Sequence, residues 1–265
     1  MRLLLLAACW LAIGPADAAT DPFSGLARAY LVQVGDRDLW AGRADERLPP
    51  ASLTKVMTAL LILEDYRPAQ IVTISGAAAR ATGSRLKLRS GDQLSMEALL
   101  TATLIASAND ACTALAEASA GSEAAFVAKM NQRARSLALS NTHFSNPCGF
   151  DQVDHYSSAR DLARIAQTAL THPEFAAIVA RQSAEIRTAD GSHRFELKNR
   201  NALIGTYAPA IGIKTGYTGR AGKCLMALAQ KNGTRVLLVM LNATSRWWDA
   251  IGIIENAFDA AATPQ

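Results

Sequence analysis

Ser52-Leu-Thr-Lys55 is the first group of residues in this chain that could carry chemistry. On a helix, positions i and i+3 share a face, so the Ser52 hydroxyl and the Lys55 amine can meet. A lysine amine kept neutral by desolvation or a nearby cation can take the serine proton and make the oxygen a nucleophile. The pattern is short enough to recur by chance, and Ser84-Arg-Leu-Lys87 also fits it. There, Leu86 and Leu88 alternate with polar residues, the spacing of a strand, on which i and i+3 face opposite sides. Ser84 is therefore expected in a loop or at a sheet edge.

Two further groups could complete a site. Ser107-Ala-Asn109 puts a hydroxyl and a carboxamide at a break between two apolar helical segments, where both could turn into a cleft. Serine and asparagine equally suit a helix N-cap, and these residues alone leave both readings open. Lys214-Thr-Gly216 offers an amine and a hydroxyl on a strand, then a residue whose missing side chain lets a ligand approach the backbone; such a trio can hold a carboxylate. A strand simply ending in a turn is the other reading. His143, Cys148, Asp151, Asp154 and His155 lie close in sequence, but no HExxH or paired CxxC spacing organises them. A loop is expected there, with no metal. No GxGxxG or phosphate-binding loop occurs, and no cofactor is expected.

These groups need a scaffold. Ala29 to Val34 and Leu39 to Gly42 read as strands joined at Gly35-Asp36. After Pro49-Pro50 a helix is expected over 51–66, with Leu53, Val56, Met57, Leu60 and Leu63 on one face. Met96 to Ala106 reads as a buried helix, followed by a second to Gly121 and a third, capped by Ser122, to about Leu139. Ser158-Ala-Arg-Asp161 is a capping box opening a helix to about Leu170. Hairpins are expected about Asp190-Gly191 and Asn232-Gly233, with strand-like Ile211 to Thr215 and Cys224 to Gln230, and a helix closes the chain. Strands at both ends around a helical middle predict an α+β fold with one sheet assembled from the two chain ends.

With 265 residues, half of them apolar and 19% charged, the chain can bury a sizeable core, which excludes a disordered or fibrous protein. A net charge of +4 without basic runs interleaved with aromatics argues against nucleic-acid binding. Arg2, the apolar run Leu3 to Ile13 and Ala16-Asp17-Ala18 read as an export signal covering 1–18. Residues 19–265 are then a single catalytic domain, exported to the periplasm. Leu6-Ala7-Ala8-Cys9 offers the alternative of a lipid anchor at Cys9. Three cysteines remain, Cys112, Cys148 and Cys224; at least one must stay unpaired, and buried thiols are the expectation. Trp247, Ile251, Ile254 and Phe258 form an apolar stripe flanked by Asp249, Glu255 and Asp259, which suits packing on the sheet rather than membrane insertion.

Taken together, the three motifs resemble the signature of penicillin-binding proteins and class A β-lactamases. The chain most resembles the low-molecular-mass serine D-alanyl-D-alanine carboxypeptidases. Pro50 to Thr58, Ser107 to Ala111, Tyr156 to Asp161, Asn199 to Leu203 and Gly212 to Thr218 carry the likeness. The resemblance implies an antiparallel sheet with a helical subdomain, and a substrate of peptidoglycan stem peptides ending in D-Ala-D-Ala. β-Lactams would be covalent inhibitors. It implies that Ser52 is acylated, Lys55 is its base, Ser107 relays protons and Asn109 binds the substrate amide. Lys214 and Thr215 would recognise the carboxylate, and the amides of Ser52 and Tyr217 would form the oxyanion hole. Alternatives are a DD-endopeptidase cutting cross-links, a β-lactam sensor that acylates without turnover, and a β-lactamase. The last wants a Glu-x-x-Leu-Asn element, and Glu196-Leu-Lys-Asn199 has the wrong spacing.

Overall fold

A computed structural model describes residues 23–263. The export signal over 1–18, its cleavage site and Cys9 lie outside the described residues. The chain opens with β1 (Ala27–Val34) and β2 (Arg37–Gly42), a 3-10 turn (Ala51–Thr54) and α1 (Lys55–Glu64). There follow β3 (Ile71–Thr73), α2 (Gly76–Ala79), β4 (Gln93–Ser95) and α3 (Met96–Thr101), which runs into a π turn (Ala102–Ala106). Then come α4 (Asn109–Ala120), α5 (Glu123–Ser136), α6 (Ala159–Ala169), α7 (Pro173–Val179) and the hairpin β5 (Ser183–Arg187) with β6 (Arg194–Lys198). The chain closes with β7 (Ala210–Thr218), β8 (Gly222–Lys231), β9 (Thr234–Ala243) and α8 (Trp247–Ala262).

Five strands form one antiparallel sheet in the order β2-β1-β9-β8-β7, so the two ends of the chain build it together, as expected. Successive side chains on a strand face opposite ways, and both faces of this sheet are covered. On β9, Leu237, Val239 and Leu241 join the core under the helices, while Val236, Leu238 and Met240 join the one under α8. Ile254 and Phe258 of the terminal stripe are buried there too, with Trp247 and Ile251 partly so. Burial on both faces explains why these strands read as continuous apolar runs.

Local signals hold where the backbone decides alone. Ser122 and Ser158 cap α5 and α6, each accepting from the amide three residues on. Three expectations are corrected. The helix expected over 51–66 begins as a 3-10 turn, because Ala51 adopts the left-handed conformation (φ 48°) and the chain is still turning at Ser52. The helix expected to run straight to Ala106 widens into a π turn, which rotates Ser107 out of the helical register. Ser84 to Lys87 is not in a strand: the amides of Leu86 and Leu88 donate to the Asp110 carboxylate instead of to a neighbouring strand. The short α7 carries no strong periodic signal and was not expected.

Candidate active site

Ser52 sits on the 3-10 turn where α1 meets the edge of β7. That approach is close: a Cβ on Gly216 would lie 3.0 Å from Ala51 Cβ and 3.1 Å from the Ser52 amide nitrogen. Gly149 presses from the other side with φ at 86°, and a side chain there would collide with the Ala51 carbonyl. Glycine is thus required at both positions, at Gly216 by proximity and at Gly149 by backbone and proximity together.

Lys55 lies at the start of α1 and is completely buried. Its Nζ is 3.0 Å from Ser52 Oγ, 2.7 Å from Asn109 Oδ1 and 2.5 Å from the Cys148 carbonyl oxygen. Burial, aided by the charge of Lys214, holds its pKa well below the ordinary lysine value. A neutral amine has two hydrogens and one lone pair. With its hydrogens on the two carbonyl-type acceptors, an uncharged Lys55 amine would have its lone pair free for the Ser52 proton. The 84–87 pair has no such geometry, although Ser84 does line the cleft, where its hydroxyl donates to the Ala106 carbonyl.

The Cys148 carbonyl is placed by Asn146, whose Oδ1 accepts from the amides of Cys148, Gly149 and Phe150. Cys148 is also bonded to Cys112, one turn beyond Asn109 on α4. Among the described residues Cys224 alone is a free thiol, unpaired and buried as expected, while the expectation of buried thiols is corrected at Cys112 and Cys148. Sequence spacing has no bearing on this pairing; the fold brings α4 against the 146–149 loop. His143 and His155 serve that same region through hydrogen bonds to protein groups, the first to the Asp154 carbonyl.

Ser107 has a left-handed backbone (φ 59°) and does not cap α4, whose N-cap is Ala108. Its Oγ instead accepts from Lys214 Nζ at 2.9 Å across the cleft. The carboxamide of Asn109 is held at both ends, by Lys55 and by the Thr82 carbonyl at 2.6 Å. Lys214 is buried on β7, and its pKa is lowered to about 7, mainly by desolvation and then by Arg200 and Arg246. Thr215, Gly216 and the exposed Tyr217 line an open cleft of about 470 Å³ with Ser52 and Ser107.

Arg200 and Arg246 also line this cleft, and sequence reasoning assigned neither a role. Arg246 donates to the Gly216 carbonyl at 2.8 Å and lies over the Trp247 ring. The signal for Arg200 was its place within Asn199-Arg-Asn-Ala-Leu203; Arg246 had none, since only the return of β9 beside β8 brings it near β7. The lining residues include no carboxylate. Glu196 is exposed and paired with Arg194 on the surface hairpin.

Fold and clustered motifs define the class, a penicillin-binding-protein and β-lactamase-like chain. A family model described as D-alanyl-D-alanine carboxypeptidase matches residues 31–245. The D-alanyl-D-alanine carboxypeptidase DacF of Bacillus subtilis is 40% identical over 212 residues, 78% of this chain and 54% of the relative. DacC of Escherichia coli is 36% identical over 234 residues, 82% and 56% respectively. The carboxypeptidase of Streptomyces strain K15 is 34% identical over 274 residues, 96% and 94%. The crystal structure of the Streptomyces K15 DD-transpeptidase superposes with a TM-score of 0.83 at 31% identity, covering 88% of this chain and 97% of that one. This chain belongs to the D-alanyl-D-alanine carboxypeptidase family. It spans little more than half the length of DacF and DacC.

Proposed function

We propose that the chain is a serine-type D-Ala-D-Ala carboxypeptidase acting on peptidoglycan stem peptides. The observation that carries this reading is one buried lysine, its pKa held well below the ordinary value, 3.0 Å from a cleft-lining serine, with Thr215 in the same cleft and Lys214 hydrogen-bonded to its Ser107. Ser52 attacks the carbonyl of the penultimate D-Ala as its proton passes to Lys55 Nζ. The oxyanion forms at the seam of Ser52 and β7, where the amides of Ser52 and Tyr217 are the donors. Collapse of the intermediate breaks the C–N bond. The leaving D-Ala amine is protonated from Lys55 through Ser107, and water then hydrolyses the ester. Lys214 and Thr215 hold the substrate carboxylate, with Gly216 leaving room for the peptide backbone. Asn109 orients Lys55 and, as the family likeness implies, contacts the substrate amide.

The same geometry supports β-lactams as acylating inhibitors, since they present a strained amide beside a carboxylate. Residues 19–265 are proposed as the catalytic domain, exported to the periplasm after cleavage behind Ala18. Among the described residues no helix is long and apolar enough to cross a membrane. The test is to incubate the mature protein with a penicillin and with a D-Ala-D-Ala peptide. An acyl adduct on the peptide containing Ser52, absent in Ser52→Ala, and steady release of D-Ala are expected. An adduct on Ser84, or acylation without turnover, overturns the proposal. The N-terminus of the fraction recovered from the periplasm should be Ala19.

A further inference from the structure

His155 is buried beneath the 3-10 turn that bears Ser52, and the mechanism above does not use it. Its Nδ1 accepts from the Ser145 amide at 3.0 Å. A ring nitrogen that accepts from N–H carries no proton, so the proton of the neutral imidazole is on Nε2. Nε2 lies 2.8 Å from Thr54 Oγ1, and the Thr54 hydroxyl in turn donates to the Ala51 carbonyl at 2.8 Å. The chain of donors therefore runs one way, from Ser145 N–H to His155, from His155 to Thr54, and from Thr54 to Ala51. With the ring proton on Nδ1, two N–H groups would oppose each other. Thr54 would then have to choose between the imidazole and Ala51.

The end of this chain is a strained point of the site. Ala51 is an L-residue in the left-handed region, a conformation that persists only when its surroundings impose it. Its carbonyl is fixed by Thr54 on one side and crowded by Gly149 on the other. Burial keeps the imidazole neutral, with its pKa lowered to about 4; His143 and Lys55 push the same way and Asp151 opposes. The Phe144 ring packs against it, with centroids 5.8 Å apart and the planes steeply inclined, and brings no charge.

We infer that His155 is a positioning residue for Ser52: acting through Thr54, it fixes the Ala51 carbonyl and so holds the turn on which Ser52 Oγ meets Lys55. This inference rests on the reading of Ser52 as the nucleophile. It concerns a tautomer and a hydrogen-bond direction, and both can be measured.

The experiment compares penicillin acylation rates and thermal midpoints of wild type, His155→Asn, His155→Gln, Thr54→Val and the double variant His155→Asn/Thr54→Val. Asparagine can still accept from Ser145 but falls short of Thr54, whereas the longer glutamine can donate to Thr54. The Asn variant should lose about tenfold in acylation rate, the scale of one buried hydrogen bond, and Gln should recover most of it. The double variant should be no slower than Thr54→Val alone, because both changes interrupt one chain. Nitrogen-15 NMR of histidine-labelled wild type should show the proton on Nε2, a readout independent of whether any variant folds. A proton on Nδ1, additive losses, or an Asn variant that acylates at the wild-type rate overturns the inference. If wild type itself is not acylated at Ser52, the nucleophile assignment falls and the inference falls with it; acylated wild type beside an unaffected Asn variant sinks the inference alone.

Discussion

Lys214 Nζ donates to Ser107 Oγ at 2.9 Å, joining residues 107 positions apart in the chain. One belongs to the break after the π turn and the other to β7, and neither position has a local reason to face the other. Their meeting ties the Ser107 side of the cleft to β7. It also places a titratable amine behind the hydroxyl that is proposed to relay protons.

The pH dependence of kcat/KM should be bell-shaped. Lys55 must lose its proton to act as base, so the rate rises with pH on the acid limb, and Lys55→Ala should abolish that limb along with most activity. Lys214 must keep its proton to attract a carboxylate. Activity therefore falls as pH rises through its pKa of about 7. Lys214→Arg, which stays charged, should push the alkaline limb upward. A profile flat from pH 5 to 9 would count against both roles.

Lys214→Ala should weaken hydrolysis of a D-Ala-D-Ala peptide at least about tenfold in kcat/KM, since a charge-assisted hydrogen bond in a dry site contributes about 1.5–3 kcal/mol. Amidating the terminal carboxylate should reproduce the loss in wild type and add little in the variant. Additive losses would show that the carboxylate has another partner.

The two buried lysines should make the site costly to fold. A lysine whose pKa is lowered in the folded state is penalised wherever it is charged, so the penalty is full below pH 7. It shrinks between about 7 and the unfolded value near 10.4. Lys214→Met should therefore raise the thermal midpoint relative to wild type, most at pH 6 and least at pH 10. A difference that grows with pH contradicts the sign.

The Cys112–Cys148 bond closes a loop over a sequence separation of 36 and ties Asn109's helix to the segment bearing the Cys148 carbonyl. Replacing both cysteines by serine should cost about 2–4 kcal/mol in denaturant unfolding. Acylation should also slow, because the two acceptors of Lys55 are no longer held at a fixed separation. Unchanged acylation in the doubly substituted protein would confine the bond to a stabilising role.

The amino-acid sequence by itself determined what depends on neighbouring positions. The i, i+3 spacing of Ser52 and Lys55 put both on one helical face, and Ser122 and Ser158 marked their helices because a cap acts over three residues. Apolar runs on both sides of Asn232-Gly233 identified β8 and β9, since burial on two faces leaves no polar alternation. What only the tertiary structure decided is which distant groups face these residues. Lys55 finds its acceptors on Asn109 and Cys148, 54 and 93 positions away, and Arg246 reaches β7 only after β9 has returned beside β8. Cys112 finds Cys148, and the segment around Leu86 and Leu88 forms no strand because the Asp110 carboxylate claims the amides that a ladder would have used. Periodicity reports the backbone and the buried face of one segment. The partner of a buried polar group is set by how separate segments close upon each other, and that closure leaves no mark at either residue's own position.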